Sequence, residues 1–430
     1  MTTNPSNGIP SDPTPIDPPP IAPLPAHQRW PTMDVLRGVA ILGILPVNIY
    51  SFGLPEFAIL DPALFDSGPM SDRVARWATH LLAEMRFISI FTMLFGLGVW
   101  ISAERSAGAG AASRHYRRML ALLGFGLIHA YVFWYGDVLV LYALCGLLLY
   151  PMRRFSPYRQ MGLGIGGIAL SVLITLGFAG LYFITPPDAR HELNAAFVYT
   201  QDDMEHEIAS YRGTWMEQNV FRWHSASYLQ TVGLFWFAPE TLGLMLIGIA
   251  LGRWGVFWGN WSIRRGFVLA VLLIASGVSL TLLGRAISDH YDDQPMPQML
   301  LGGLPNLIGA PLSAVGYALG VVCVVRTMPP NEPLRTLALL GRTALSNYLL
   351  QTLLCTTFFY GHGFGRFAMF SPAQLIRVVI GVWIIQIVLT RFWCARYDIG
   401  PAEWLWRLVS YGRAPKWTGS DPVTTTPPRP

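Results

Sequence analysis

A histidine and an aspartate flank a predicted turn between two apolar stretches, in the segment GLIHAYVFWYGDVLVLYALCGLLL. His129 lies shortly before Gly136, and Asp137 opens the stretch that follows. Residues at neighbouring helix ends can come within hydrogen-bonding distance, and a carboxylate that orients an imidazole prepares it to act as a general base. The alternative is a histidine that packs at a helix end and an aspartate that caps the next helix.

Two arginines lie inside apolar stretches rather than beyond them. Arg37 follows Asp34 by three residues, so the two side chains share one helical face, and Arg342 lies near the start of a later stretch. A guanidinium group that faces a pocket in a helix bundle can bind phosphate groups. The alternative for Arg37 is an ion pair at the end of a helix.

Uncharged polar side chains lie deeper in the same stretches. Asn347 and Gln351 are four residues apart and share a helical face, and Tyr348 lies between them. Asn48 follows Pro46, which removes a backbone hydrogen bond and opens a local polar position. These groups predict a polar passage that joins the arginines to the His–Asp pair. The alternative is that Asn and Gln join neighbouring helices, a common role in membranes.

A carboxylate also lies inside an apolar stretch, where Glu240 follows Pro239. An unpaired carboxylate in hydrocarbon is costly, so this group must be paired, hydrated or neutral. We expect either a contact with a substrate or a salt bridge to an arginine such as Arg86.

The elements that must position these residues are membrane helices. Of the 430 residues, 52% are hydrophobic and 13% are charged, whereas a soluble protein carries about 25% charged residues. Apolar runs near the length that spans a bilayer predict an all-α, polytopic helical membrane protein. We expect about ten transmembrane helices, near residues 34–54, 80–102, 117–135, 137–152, 160–184, 229–252, 264–285, 305–326, 336–360 and 373–394.

The placement of charges predicts the orientation. Acidic residues collect on the side opposite to the arginines, which lie at Arg29, Arg105–Arg118, Arg153–Arg159, Arg253–Arg265, Arg326–Arg335 and Arg391–Arg407. The positive-inside rule then makes both termini cytoplasmic and puts the turn at Gly136 on the outer side. We expect a multi-pass protein of the bacterial cytoplasmic (inner) membrane.

The membrane domain is expected over residues 29–412, between two polar tails. Residues 1–28 are rich in proline and predict a disordered cytoplasmic tail, and residues 413–430 predict a second one. Residues 185–228 form the long external segment of this topology. Two polar stretches with flanking aromatic residues predict short helices there, which form either a lid over a site or a connector.

Composition and motifs exclude several function classes. The net charge of +5 comes from arginines beside helix ends, so we expect no nucleic-acid partner. The cysteines lie in or at the end of apolar runs and form no CxxC pair, so neither a disulfide framework nor a metal site is expected. The sequence has no nucleotide-binding phosphate loop and no dinucleotide fingerprint.

Five segments together resemble the YeiB-like family of bacterial membrane proteins, a domain of unknown function. They are DVLRGVAILGILPVNIYSFG, FTMLFGLGV, the His–Asp segment quoted above, MLIGIALGRWGVF and GRTALSNYLLQTLLCTTFFYGHG, and the resemblance covers roughly residues 30–410. The family is placed near the transmembrane acyltransferases, which include heparan-alpha-glucosaminide N-acetyltransferase. That similarity lies mainly in the first stretch, in Asp34, Arg37-Gly38 and Val47-Asn48.

The resemblance implies that a cytoplasmic acyl-CoA donates its acyl group to an acceptor reached from the outer side. It also makes a homodimer an expectation. One feature departs from the acetyltransferase, which carries its catalytic histidine shortly after the first span. The corresponding stretch here, SFGLPEFAILDPALFDSGP, has no histidine, so His129 becomes the candidate.

We therefore interpret the chain as a membrane acyltransferase, most simply an acetyltransferase with acetyl-CoA as co-substrate. His129, oriented by Asp137, would take a proton from an acceptor hydroxyl or amine, and Glu240 would contact the substrate. The acceptor would be a cell-envelope glycan, a lipid or a small molecule. The residues expected to bind acyl-CoA and line the passage are Arg37, Asn48, Arg342, Asn347, Tyr348 and Gln351.

Two other functions fit the same sequence. A transporter of small solutes would use broken helices at Pro46, Pro239 and Pro311, with Glu240 coupling protons. The halves of the chain show no convincing internal similarity, which argues weakly against this alternative. A membrane scaffold or receptor would tolerate alanine at His129, Asp137 and Asn347.

Overall fold

The computed structural model describes residues 32–56, 68–105, 110–195, 200–291, 294–412 and 414–417. The tail predicted at residues 1–28 lies outside this part of the chain, as does most of the tail predicted at 413–430. Residues 414–417 are described, and Trp417 stacks on Trp404 with ring centroids 4.7 Å apart.

The described chain is helical and contains no β-strand, so the predicted all-α class is confirmed. We number the helices in chain order: α1 Thr32–Gly53, α2 Met70–Leu82, α3 Arg86–Arg105, α4 Ala111–Ile128, α5 Leu139–Met152, α6 Pro157–Ile184, α7 Pro187–Ala195, α8 Gln201–Arg212, α9 Trp215–Tyr228, α10 Leu234–Arg253, α11 Ile263–His290, α12 Pro295–Thr327, α13 Glu332–Arg342, α14 Ala344–Phe359, α15 Pro372–Cys394 and α16 Pro401–Tyr411. The π-helical turns His129–Phe133 and Leu229–Gly233 extend α4 and precede α10.

Several of these helices are built to lie in a bilayer. Among the described residues, 7 helical segments are long and apolar enough to cross a membrane, and α5 is a shorter apolar helix. In the apolar windows of α6 and α11 only 22% of the residues are buried inside the protein. Their remaining apolar side chains face outwards, as expected for helices that contact lipid. The count of ten spans and the cytoplasmic termini stay predictions.

The core of the bundle lies around α1, where 61% of the apolar window is buried. This helix packs against α3, α13, α14 and α15. It starts near Arg37 and ends near Phe52, whose ring stacks on Trp134 with centroids 4.1 Å apart. The helix therefore joins two ends of the bundle. We call the end with Arg37 the arginine end, and the end with the turn at Trp134–Asp137 the lid end.

The stretch predicted as one span at 336–360 forms two helices, α13 and α14. The helix is interrupted at Thr343, whose φ of −110° and ψ of 37° are not helical. Glu403 of α16 then satisfies the free N–H groups that open α14. Its carboxylate accepts hydrogen bonds from the Leu345 N–H, at 2.7 Å, and from the N–H and hydroxyl of Ser346. This contact fixes where α14 begins.

Two glycines bring α1 and α13 into backbone contact at the arginine end. A Cβ atom on Gly341 would lie 1.8 Å from the Asp34 carbonyl oxygen, and a Cβ atom on Gly38 would lie 2.0 Å from that of Leu337. Only glycine permits this approach, which is a common device in packed membrane helices. The contact sets Arg342, the next residue of α13, beside the first turns of α1.

We predict that Gly341→Ala lowers the stability of the bundle by about 1–3 kcal/mol, because the added methyl group forces the two backbones apart. Thermal unfolding of the purified protein in detergent measures this change. Gly381→Ala is the matched control, since a Cβ atom there would meet nothing within 4 Å. Equal unfolding temperatures for the two variants would contradict the prediction.

Candidate functional site

His129 and Asp137 form a buried hydrogen-bonded pair at the lid end. The His129 Nδ1 atom lies 2.8 Å from Asp137 Oδ1, and their side chains are 2% and 0% exposed. The second carboxylate oxygen of Asp137, Oδ2, accepts a hydrogen bond of 2.8 Å from the Val140 N–H at the start of α5. The aspartate thus contacts both the histidine and an N–H group in the first turn of the next helix. Its part in orienting a general base stays a prediction.

The local fold explains this contact. α4 ends in the π-helical turn that begins at His129, and the chain becomes extended at Trp134. Gly136 lies directly under the indole ring of Trp134, because a Cβ atom there would come within 2.3 Å of that ring. The compact turn brings the end of α4 and the start of α5 together, so two residues eight positions apart can share a hydrogen bond.

The other ring nitrogen of His129 faces a residue that sequence reasoning missed. The Nε2 atom lies 2.9 Å from the hydroxyl oxygen of Thr352, which is 1% exposed. Thr352 lies one helical turn after Tyr348 on α14, so both share the face directed at the hairpin. The signal in the sequence is this i, i+4 relation to Tyr348, the same relation that joins Asn347 to Gln351.

Aromatic rings enclose the pair. The Tyr348 ring lies 5.0 Å from the His129 ring between centroids, and the Tyr348 hydroxyl lies 3.5 Å from the Gly136 carbonyl oxygen. The Trp134 ring lies 6.2 Å from His129, edge-on. The Trp134 Nε1–H is buried and has no hydrogen-bond partner in the described chain. Tyr348 therefore contacts the predicted base, and a free N–H donor belongs to the same cluster.

Asn48 lies on the α1 face that reaches this cluster. At helical spacing it shares a face with Leu45 and Phe52, both fully buried, and Phe52 stacks on Trp134. The Asn48 side chain is half-buried and makes no hydrogen bond to any described residue. Its amide is therefore available to a ligand, as the predicted passage requires.

Asn347 and Gln351 are instead occupied by protein partners. The Asn347 amide donates to the Thr343 hydroxyl, at 2.8 Å, and its oxygen accepts from Thr390 of α15. The Gln351 amide donates to the Ile41 carbonyl of α1, at 2.9 Å. These bonds join α14 to α1 and α15, which supports the alternative that these residues hold helices together. A part in binding acyl-CoA stays a prediction for both.

The two predicted arginines meet around one aspartate at the arginine end. The Arg37 guanidinium donates to Asp34 at 2.9 Å, and Asp34 also interacts electrostatically with Arg342. A second carboxylate, Asp398, lies 4.0 Å from Arg342. The arginine side chains are 29% and 37% exposed. Both guanidinium groups are therefore paired but still reach the surface, where an anion could contact them.

Glu240 is 3% exposed, and its Oε1 atom has no hydrogen-bond partner in the described chain. The predicted salt bridge to Arg86 is not formed. Arg86 donates to the carbonyls of His80 and Glu84 and to the Thr281 hydroxyl, at 3.2, 2.9 and 2.7 Å. The reason is that α2 ends just before α3 begins, so the free carbonyl groups at this junction accept hydrogen bonds from the Arg86 guanidinium. A substrate contact for Glu240 stays a prediction.

In the segment predicted at 185–228, the described residues form helices α7, α8 and α9, which we call the lid. Whether they close over a site or only connect two helices stays a prediction. α8 and α9 each start with a capping box, formed by Thr200 with Asp203 and by Thr214 with Glu217. The buried Arg222 of α9 donates a 2.6 Å hydrogen bond to the Val132 carbonyl in the π-helical turn after His129. The lid is therefore bonded directly to the segment that carries the histidine.

Two carboxyl groups meet beneath the lid. The Glu56 N–H donates to Glu207 Oε1 at 3.0 Å, and the Glu56 carboxyl group accepts from the Ser225 hydroxyl at 3.2 Å. Burial, together with the neighbouring Glu56 carboxyl, raises the pKa of Glu207 to about 7. Burial also raises the pKa of Glu56. Both groups interact electrostatically with Tyr135, two residues before Asp137, so the pair lies next to the hairpin turn.

Within the described ranges, no group of three or more His, Cys, Asp or Glu side chains could hold a metal ion. The chemistry available at the lid end is that of a histidine, two hydroxyl-bearing side chains and buried carboxyl groups.

Comparison with known proteins gives relatives along nearly the whole chain. A family model described as "Protein of unknown function (DUF418)" matches residues 251–413, which include Arg342 and Thr352. The "Uncharacterized protein YeiB" of Escherichia coli (strain K12) is 34% identical over 395 residues, 89% of this chain and 96% of that protein. The "Uncharacterized protein YxaH" of Bacillus subtilis (strain 168) is 27% identical over 90% of this chain and 95% of its own length. No solved structure matches significantly.

We predict that Glu207→Gln reduces the loss of folding stability that occurs as the pH rises from about 5 to about 8. Folding raises the Glu207 pKa from 4.5 to about 7. The folded state therefore keeps a proton that the unfolded state releases. The resulting stabilisation is complete below the unfolded pKa and disappears as the pH rises through the folded pKa. The midpoint temperature of thermal unfolding should accordingly fall for the wild type as the pH rises from about 5 to about 8, and it should fall less for the variant.

Glu205→Gln is the control for this measurement, because Glu205 lies on the same helix but is exposed. It should keep the pH dependence of the wild type. If the unfolding temperatures of the wild type and of Glu207→Gln change with pH in parallel, Glu207 does not bind a proton on folding, and the prediction is wrong.

Proposed function

The chain belongs to the YeiB family, and we propose that it is a membrane-embedded acyltransferase of the bacterial cytoplasmic membrane. It would move an acyl group, most simply acetyl, from cytoplasmic acyl-CoA to an acceptor on the outer side. The observation that carries this proposal is the buried His129–Asp137 pair, at the opposite end of α1 from two surface-reaching arginines. An oriented base at one end and an anion site at the other suit a reaction whose two substrates approach from opposite faces.

The histidine pair supplies the proton transfer. A buried carboxylate that accepts from Nδ1 keeps the proton on that atom, so Nε2 is the basic nitrogen. The base takes the proton of an acceptor hydroxyl or amine as its oxygen or nitrogen attacks the thioester carbonyl. The same proton then passes to the sulfur of the departing CoA, which leaves as a thiol. Atoms and charge balance, since one X–H bond and one C–S bond are exchanged for one C–X bond and one S–H bond.

The arginine end is proposed as the donor site. Arg37 and Arg342 would bind the phosphate groups of acyl-CoA, because guanidinium groups form strong, directed bonds to phosphate. Their exposed fractions support access from the aqueous side. From there the acyl group would pass Asn48 and Tyr348 on its way to His129. The free amide of Asn48 is available to the pantetheine arm or the thioester carbonyl.

The acceptor is proposed to enter beneath the lid. Glu56 and Glu207 lie there with polar and aromatic neighbours, next to the turn that carries Asp137. Carboxyl groups and phenol hydroxyls bind substrates that carry hydroxyl or amine groups. This supports a glycan, a lipid headgroup or a small amine or alcohol as acceptor, in line with the outward position expected from the arrangement of arginines.

Glu240 favours a second function, a proton-coupled transporter of small solutes. The Glu240 carboxyl group is buried with an unpartnered oxygen, and buried carboxyl groups in membrane helices serve as proton relays in pumps and transporters. This alternative requires that Glu240→Gln abolish solute uptake in proteoliposomes. Under the acyltransferase proposal the same change leaves acetyl-CoA binding intact, so the two assays separate the functions.

We predict that Arg342→Ala weakens acetyl-CoA binding by about 10–100-fold, the loss expected from one charge-assisted bond to phosphate. Calorimetry or a thermal-shift titration of the protein in detergent gives the affinity. Arg335→Ala is the control, because Arg335 lies on the same helix and pairs with Glu332 at the surface. Failure of the wild type to bind acetyl-CoA would reject the acyltransferase and favour the transporter.

We predict that His129→Asn lowers the rate of CoA release from acetyl-CoA by about 10²–10⁴-fold, the usual contribution of a general base. Acetyl-CoA affinity should stay close to the wild-type value, since the histidine lies far from the arginine end. A thiol-reactive dye measures the released CoA. His191→Asn, an exposed change in the lid, should match the wild type. An unchanged rate for His129→Asn would eliminate His129 as the base.

A further inference from the structure

We propose that the Thr352 hydroxyl is the nucleophile that first receives the acyl group, so that the reaction passes through an acyl-Thr352 enzyme. This inference rests on the acyltransferase function proposed above and goes beyond it, because it splits a direct transfer into two steps. The substrate class of the first step is an acyl thioester, and that of the second is the acceptor.

The hydrogen-bond directions around His129 lead to this assignment. An ionised aspartate has no proton to donate, so Asp137 Oδ1 accepts from His129 Nδ1, 2.8 Å away, while Oδ2 accepts from the Val140 N–H. The Nδ1 atom therefore carries the proton, and the Nε2 lone pair is left to accept one. The group placed at Nε2 is the Thr352 hydroxyl, at 2.9 Å. The hydroxyl proton is thus directed at a base that a buried carboxylate orients, which is the geometry that activates a hydroxyl nucleophile.

Thr352 also differs from several other threonines in the helices of this protein. Buried helical threonines usually bond their hydroxyl to the carbonyl four residues earlier. Thr175 does so with Ser171, and Thr336 does so with Glu332, both at 2.9 Å. Among the described residues, the Thr352 hydroxyl has no such backbone bond, and its hydrogen bond goes to His129. Its hydroxyl is therefore committed to the base rather than to its own helix.

An N–H donor without a partner lies in the same cluster. The Trp134 Nε1–H is buried and unpartnered in the described chain, and its ring lies 6.2 Å from the His129 ring. Addition of a hydroxyl to a thioester places negative charge on the carbonyl oxygen, and nearby N–H donors stabilise that charge. The cluster thus holds a base, a nucleophile and a candidate oxyanion donor.

The position of Thr352 suits a donor bound at the arginine end. It lies eight residues after Ala344, where α14 begins just beyond Arg342, and this is about 12 Å along that helix at 1.5 Å per residue. The extended pantetheine arm that links the phosphates of CoA to its sulfur spans a comparable length. Acyl-CoA held by its phosphates at Arg342 would therefore present its thioester near the Thr352 hydroxyl.

The two steps balance without another reactant. In the first, the Thr352 oxygen bonds to the thioester carbon, its proton moves to His129 Nε2, the C–S bond breaks, and CoA leaves as a thiol with that proton. In the second, the acceptor oxygen or nitrogen attacks the threonine ester and gives its proton to Nε2. The Thr352 oxygen then takes this proton back as the C–O bond breaks.

The test is to incubate the purified full chain with radiolabelled acetyl-CoA in the absence of acceptor. The wild type should release a burst of about one CoA thiol per chain and retain one labelled acetyl group. Mass spectrometry of the digested protein should find an O-acetyl group on Thr352, sensitive to hydroxylamine. Thr352→Ser keeps the hydroxyl and should retain the burst, whereas Thr352→Val keeps the shape and should lose it.

Thr356→Val is the matched control, because it deletes a buried hydroxyl one turn further along the same helix. It should keep the burst and the label. The acetyl-CoA affinity and the unfolding temperature of Thr352→Val should lie near the wild-type values. A lost burst in this variant then reports a lost chemical step and not a misfolded protein. Restored activity in Thr352→Ser provides the same separation.

Three results would overturn the inference. In the first, the wild type binds acetyl-CoA and acylates an acceptor while Thr352 carries no label. That result would refute the assignment of Thr352 as the nucleophile and leave the proposed function intact. Wild-type activity in Thr352→Val would do the same. Wild type that does not bind acetyl-CoA would refute both the inference and the acyltransferase proposal, so the two failures are distinguishable.

Discussion

Burial of the Asp137 carboxylate is the constraint on which the lid end of this protein depends. A carboxylate inside an apolar bundle loses its hydration, and hydrogen-bond donors to its oxygens offset that cost. Here those donors are the His129 imidazole and the Val140 N–H. Satisfying the aspartate in this way fixes the end of α4 against the start of α5, selects the tautomer of the histidine, and turns its basic nitrogen towards α14.

The rest of the lid end holds that arrangement in place. The π-helical turn after His129 leaves the Val132 carbonyl free at the end of the helix, and Arg222 of the lid satisfies it. The stacked rings of Trp134 and Phe52 attach the same turn to α1. A movement of the lid would therefore be transmitted to the histidine through bonded contacts. This arrangement links access from the lid side to the geometry of the base.

Helix α14 separates structural and chemical roles over adjacent residues. Asn347 and Gln351 point to α1 and α15, and their amides join these helices. Tyr348 and Thr352, each one residue further along, face the hairpin and contact His129. One residue changes the direction of a helical side chain by about 100°, so neighbouring polar residues serve different partners. The network around Asn347 thus gives the chemical face a rigid support.

The sequence by itself determined the helical membrane class, the His129–Asp137 hairpin and the arginines at one end of the bundle. These features follow from local quantities: apolar run length, turn residues and positions along a helix. Only the tertiary structure decided that Thr352 meets His129, that Glu207 lies beside Glu56, and that Arg86 does not pair with Glu240. These relations join helices far apart in the chain, and helical periodicity gives the face of each residue but not the helix that the face meets.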